Sequence, residues 1–205
     1  MTNISKNQRV LLNEEFFIPE LKVIEHQISK IDRTEKFLFE LNDGKVIETV
    51  LMRHGDRNTV CVSSQVGCAV KCSFCATGIN GFKRNLSSQE ILSQIYHIER
   101  QLKAEGENVR NIVFMGMGEP LLNLDNVIES IRTLISEEGL NLSKRRITIS
   151  TSGIISQIER LIEEDLTVEL ALSLHASSDD IRKQIIPINE KYPITACPKE
   201  VLFDV

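Results

Sequence analysis

Thr59-Val60-Cys61-Val62-Ser63-Ser64-Gln65-Val66-Gly67-Cys68-Ala69-Val70-Lys71-Cys72-Ser73-Phe74-Cys75 begins as an apolar strand and ends as a loop with three cysteines. Cys68, Cys72 and Cys75 stand in the spacing Cys-x3-Cys-x2-Cys. Three thiolates this close can wrap one face of an iron–sulfur cube, and three protein ligands leave one of its four irons open to a small molecule. A structural zinc site is the alternative, but it wants four closed ligands. Cys61 is the remaining nearby candidate, and it lies on the preceding strand. Three unrelated surface thiols are the other alternative.

Downstream of the loop the pattern alternates between helix and strand. Ser87 and Glu90 form a capping box, Leu86 can staple against Ile91, and Ile91, Ile95, Ile98 and Leu102 then share a face. Gly106 is a natural stop. Asn111–Met115 is an apolar run short enough for a buried strand, and Asp125 can cap a helix carrying Val127, Ile128, Ile131, Leu134 and Ile135. A strand at Ile147–Ser150, a helix at Ile154–Glu163, a strand at Val168–Leu174 and a short helix from Asp179 follow. Strands alternating with helices predict a parallel sheet of right-handed βαβ units, with its ligand at the carboxyl ends of the strands. The unusual motifs all fall at such ends.

Upstream, Phe37–Leu41 and Val46–Leu51 flank Asn42-Asp43-Gly44, a hairpin whose turn residues tolerate positive φ. Residues 1–19 show no clean period and read as a lead-in or linker. We see no internal repeat and no low-complexity segment.

Composition adds exclusions. The chain has 205 residues, 41% hydrophobic and 26% charged, ordinary for a globular domain with a real core. A formal net charge of −5 gives no bulk signal for nucleic acid. RNA contact would rest on local runs such as Lys83-Arg84 and Lys144-Arg145-Arg146, which usually are solvated faces. No apolar run approaches membrane-spanning length, and Met1–Lys6 lacks a signal-peptide core, so a cytoplasmic protein is expected. In that compartment the five cysteines read as ligands or redox thiols.

Several segments together carry a closer resemblance. They are Val46–Val50, Cys61–Cys68, Phe114-Met115-Gly116-Met117-Gly118-Glu119-Pro120-Leu121, Lys144–Gly153, Ser173-Leu174-His175 and Pro187-Ile188-Asn189, with Phe74 before the last cysteine. From Leu21 to Ile194 the chain resembles the RlmN/Cfr family. These are radical S-adenosylmethionine (SAM) methyltransferases acting on C2 of an adenine in 23S ribosomal RNA and, in one branch, in transfer RNA. The resemblance implies a 4Fe-4S cluster on Cys68, Cys72 and Cys75, with SAM as second cofactor. It implies a partial TIM-like radical-SAM (βα) barrel of about four βα units, preceded by the small hairpin extension. The expected divisions are an accessory remnant at 1–19, the hairpin at 20–58, the core at 59–194 and an unrelated tail at 195–205.

The same resemblance assigns residues. Gly118 and Glu119 would contact SAM; a plain strand-to-helix turn is the alternative. Ser150 matches a SAM-contacting serine, and Ser173, Leu174 and His175 match another such stretch, although a lone histidine at a strand end is more often structural. Cys61 matches the thiol that resolves the covalent RNA adduct; by itself it reads as a small buried hydrophobe. Glu48 matches a proton acceptor; by itself it reads as a solvent-facing strand residue. In the family mechanism SAM cleavage yields a radical, and a methyl group already carried on a second cysteine is transferred. A flavodoxin-like reductant is the implied partner, and no membrane is.

Family members are longer, so the resemblance implies truncation at both ends, without the carrier cysteine; Cys197 receives no role. We therefore expect an unpaired edge at Val168–Leu174, poor solubility or self-pairing, and no complete RNA methylation by this chain alone. The alternatives are an inactive remnant that binds only cluster and SAM, and a different radical-SAM activity.

Overall fold

A computed structural model describes residues 4–15, 21–55 and 57–197. The remainder of the lead-in and Pro198–Val205 of the expected tail lie outside the described residues. Lys6–Glu15 forms a helix, α1, where the sequence showed no clean period.

A three-stranded antiparallel meander comes next: β1 (Lys22–Ile28), β2 (Glu35–Glu40) and β3 (Val46–His54). The predicted hairpin is β2–β3, closed by Gly44 at φ 76°. The sequence reads as short strands with turns over 20–60 but does not bound β1, because it is an edge strand and nearly all of it is exposed. Without a buried face, no alternating pattern is imposed on it.

The hairpin does not stand apart. β3 pairs antiparallel with β4 (Arg57–Cys61), and β4 opens the parallel half of the same sheet. After β4 come β5 (Gln65–Val66), α2 (Ala76–Ile79) and β6 (Arg84–Asn85), where β5 and β6 pair around the cysteine loop. Then follow α3 (Ser88–Ala104), β7 (Asn111–Phe114), α4 (Leu124–Ile135), β8 (Ile147–Thr151), α5 (Ile155–Glu163), β9 (Glu169–Leu172) and α6 (Asp179–Ile185). The seven-stranded sheet runs β1-β2-β3-β4-β7-β8-β9. Its parallel half is four βα units in sequence order, the expected partial barrel. β9 closes the order at one edge, pairing with β8 alone among the described residues.

The core lies between the sheet and its helices. Val60, Ile112, Phe114, Ile147 and Ile149 from the strands meet Ile91, Ile95, Ile98 and Leu102 of α3 and Val127, Ile131 and Leu134 of α4. Burying each such side chain contributes about 1.5–3 kcal/mol. The capping box is formed as read: the Ser87 hydroxyl accepts from the Glu90 amide, and the Glu90 carboxylate accepts from the Ser87 amide. The start of α4 differs. Asn123 occupies the cap position, and its side chain donates instead to the carbonyls of Ser64 and Leu86, both at 2.8 Å. It ties the loop after β4 to the start of α3, while Asp125 sits in the first turn and pairs with Arg160.

Candidate functional site

At the carboxyl ends of β7, β8 and β9 the chain encloses a cavity of about 360 Å³, within the range of small-molecule sites. One wall is the cysteine loop, with Cys68, Cys72, Phe74 and Cys75. Opposite stand Gly116, Gly118 and Glu119 after β7, Ser150–Ser152 at the end of β8, and Ser173 and His175 after β9.

The loop is held from both sides. Ser64 and Gln65 donate their amides to the Met117 carbonyl, and Ser73 donates to Ile185 at the end of α6. Cys68, Val70 and Ile186 form a small apolar cluster beside the main core. Cys68 is buried, Cys72 and Cys75 are half-buried, and all three are free thiols. Burial pushes the Cys72 thiol up to about 11 and raises Cys68 as well, with neighbouring thiols and Glu119 adding to both. A cationic metal centre would reverse that preference by drawing off the protons.

The glycines have steric reasons. A Cβ on Gly116 would lie 2.7 Å from the Val62 backbone. Gly118 has φ 102°, and a Cβ there would lie 2.5 Å from Cβ of Gln65. Only glycine allows this backbone to press against the cysteine-bearing segment. Glu119 follows, buried; its carboxylate accepts from the Ser152 amide and hydroxyl, both at 2.8 Å, and from the Leu121 amide at 3.2 Å. Burial pushes its carboxyl up, against these bonds. Among the described residues no cationic side chain pairs with it, so it is a buried carboxylate in a cavity wall with room for a cationic ligand group.

The serines Ser150 and Ser173 touch, Oγ to Oγ at 3.1 Å. His175 adopts φ 56° and packs on Phe74, ring centroids 4.7 Å apart. Leu174 is not part of the wall: its side chain is exposed and its carbonyl accepts from Arg182.

Glu48 and Cys61 lie outside the cavity lining, yet on its side of the sheet. The register Val50–Cys61–Val113–Thr148 puts Cys61 one pleat below Met115 and Ser150. The Met115 amide reaches the Cys61 sulfur, and burial raises that thiol. Glu48 is exposed beside Lys36, Nζ to Oε1 3.2 Å, and its carbonyl accepts from Ser63 Oγ at 2.6 Å.

The donor set fits a cluster with one open iron. Three free thiols line one cavity, and three thiolate ligands to a four-iron cube leave its fourth iron free. The sequence profile of the radical SAM superfamily matches residues 62–196. The chain belongs to the radical SAM superfamily. The cofactors of that superfamily are a 4Fe-4S cluster and SAM, and the three thiols lining this cavity are the ligand type such a cluster takes.

This radical SAM chain is 55% identical over 194 residues to a protein named probable dual-specificity RNA methyltransferase RlmN from Pseudothermotoga lettingae. It is 56% identical over 194 residues to the protein of that name from Thermosipho melanesiensis. Each match covers 95% of this chain and 56% of the relative, so the chain spans just over half their length. A crystal structure of a radical SAM methyltransferase from Sphaerobacter thermophilus superposes with a TM-score of 0.91 at 45% identity, covering 95% of this chain and 57% of that one.

Sequence reading missed Thr151 and Ser152, which extend the wall beyond Ser150, and Arg182 behind it. Ser152 was findable as the next polar residue after a strand end. Arg182 was not, because one arginine in a short charged helix reads as solvated.

Proposed function

We propose that this chain carries the cofactor site of an RlmN-type RNA methyltransferase, acting on C2 of an adenine in ribosomal RNA and in transfer RNA. One observation carries the reading. Three free thiols and a buried carboxylate without a cationic partner face one cavity at the ends of parallel strands, in a chain so similar to proteins named RlmN. We take residues 59–194 as the core, 20–58 as its extension, 1–19 as belonging with an accessory domain, and 195–205 as a separate tail.

Cys68, Cys72 and Cys75 hold the cluster through their sulfurs. When bound, cluster and SAM together supply a radical able to abstract hydrogen from an unactivated carbon. Glu119 receives the SAM ammonium, Gly116 and Gly118 let the backbone approach, and the Ser150 and Ser173 hydroxyls offer hydrogen bonds. His175 and Phe74, packed on each other, form one side of the cavity. Glu48, on the exposed side of the sheet, accepts the proton that leaves the base carbon, with Lys36 beside it. Cys61, one pleat below the cavity and held protonated by burial, serves as the resolving thiol. A flavodoxin-like protein is the reductant, and the cytoplasm is the compartment. Among the described residues no helix is long and apolar enough to cross a membrane.

Anaerobic reconstitution with iron and sulfide, then SAM and dithionite, tests this through 5′-deoxyadenosine measured by mass spectrometry. Deoxyadenosine that disappears in Cys72→Ala is expected. Iron uptake without deoxyadenosine would leave a cluster-binding remnant. Methyl label from SAM is then followed to C2 of an adenine beside a full-length relative as positive control: label from the relative and none from this chain alone is expected, and SAM consumed on a different substrate would mean another radical SAM activity.

A further inference from the structure

Arg182 is 2% exposed, among the most buried side chains of the chain. Its Nε donates to the Leu174 carbonyl at 3.0 Å, and its Nη2 to the carbonyls of Ser152 at 2.6 Å and Ser173 at 3.1 Å. Its Nη1 donates to Asn189 Oδ1 at 2.5 Å. Among the described residues no carboxylate bonds to it. A buried guanidinium without a carboxylate is costly, and it persists where four fixed acceptors surround it.

Those acceptors are particular. Ser152 is the residue whose amide and hydroxyl hold the Glu119 carboxylate. The Leu174 carbonyl also accepts from the Ala176 amide at 2.8 Å, closing a one-residue turn about His175, which sits at φ 56°. Such a left-handed turn is strained for a residue with a side chain and holds only if its surroundings fix it. On the far side, Asn189 Nδ2 donates to Asp179 Oδ1 at 2.9 Å, which ties the start of α6 into the same network. The other end of α6 accepts the Ser73 amide of the cysteine loop at Ile185.

We propose that Arg182 is a positioning residue for SAM: its guanidinium pins the ends of β8 and β9, setting Glu119 through Ser152 and holding His175 in its left-handed turn. This rests on the reading of the cavity as a SAM site. Arg182 is not among the residues lining that cavity, so it acts through the backbone of the lining residues it holds. Lysine keeps the charge but cannot reach four acceptors in one plane.

The test uses the anaerobically reconstituted chain as wild type, Arg182→Lys and Asn189→Ala. Iron and sulfide per chain, the SAM dissociation constant by equilibrium dialysis, and peptide-resolved hydrogen exchange over residues 170–178 are read on each. Expected are wild-type iron, SAM binding weakened about 10-fold or more in Arg182→Lys and several-fold in Asn189→Ala, and faster exchange confined to that peptide. Unchanged SAM affinity in both variants with full iron overturns the proposal and leaves the SAM reading intact. Should Arg182→Lys fail to fold or to take up iron, Asn189→Ala decides: weakened SAM binding supports the proposal, and wild-type SAM binding overturns it. A wild-type chain that takes up iron but binds no SAM overturns the SAM reading and this proposal with it.

Discussion

At the scale of single residues, Gly118 shows how closely two segments approach. With φ 102° and Gln65 within 2.5 Å of any added Cβ, Gly118→Ala must shift either the loop after β7 or the segment leading to Cys68. We expect it to cost more than about 1 kcal/mol in urea unfolding, the strain of a disfavoured backbone plus overlap. An unchanged midpoint would refute the close packing. Cys61 offers a second residue-scale outcome. Burial raises its thiol, so its alkylation by iodoacetamide should titrate above the ordinary value of about 8.5. The sign for stability follows: the neutral thiol favours the fold below the unfolded pKa, and that contribution is lost as pH rises through the folded one. Peptide-resolved alkylation against pH checks it, and a midpoint at or below the ordinary value would refute the raised thiol at half-buried Cys61.

Among the elements, α3 holds the strand end that leads into the cysteine loop. Its N-terminus is capped reciprocally by Ser87 and Glu90, and Glu90 also takes a two-pronged pair from Arg84 at 2.8 Å. Ser87→Ala should therefore cost about 1 kcal/mol and lower Tm by about 2–4 °C for a chain of this size. One turn further on, Gln94 is fully buried and fully used. Its Oε1 accepts from Thr49 Oγ1 at 2.7 Å and the Ser63 amide at 2.9 Å, and its Nε2 donates to the Ser63 carbonyl at 3.0 Å. Ser63 in turn donates to the carbonyl of Glu48. Gln94→Leu would strand these groups in the core. We expect a loss of about 2 kcal/mol or more in thermal unfolding, well beyond the capping variant. Equal costs for the two would mean that the network is dispensable.

For the whole molecule the decisive feature is the edge at β9. Its outer side is unpaired among the described residues. Beside it runs an apolar groove of about 250 Å³ lined by Leu161, Ile162, Leu166, Val168 and Leu170. Ile162 is 62% exposed. Open strands next to apolar surface favour association. Sedimentation velocity of this chain should show mass rising with concentration, reduced in Ile162→Lys with the circular dichroism unchanged. A monomer at every concentration would refute it.

The local elements were legible in the amino-acid order because their causes are local. The Ser87/Glu90 box, the Asn42-Asp43-Gly44 turn and the isoleucine face of α3 each state themselves within a few residues; the spacing of Cys68, Cys72 and Cys75 points to a cluster, with zinc and unrelated thiols as alternatives that only the wider family resemblance sets aside. Tertiary structure decided what depends on partners distant in the chain. It made the hairpin continuous with the parallel strands, left Leu174 out of the cavity wall, drew Asn123 away from capping to tie Ser64 to Leu86, and placed Cys61 one pleat below the cavity. It also buried Arg182, whose acceptors lie 7 to 30 residues away. A guanidinium's surroundings are set by chain segments that meet only on folding, and no local pattern of charge or hydrophobicity encodes that meeting.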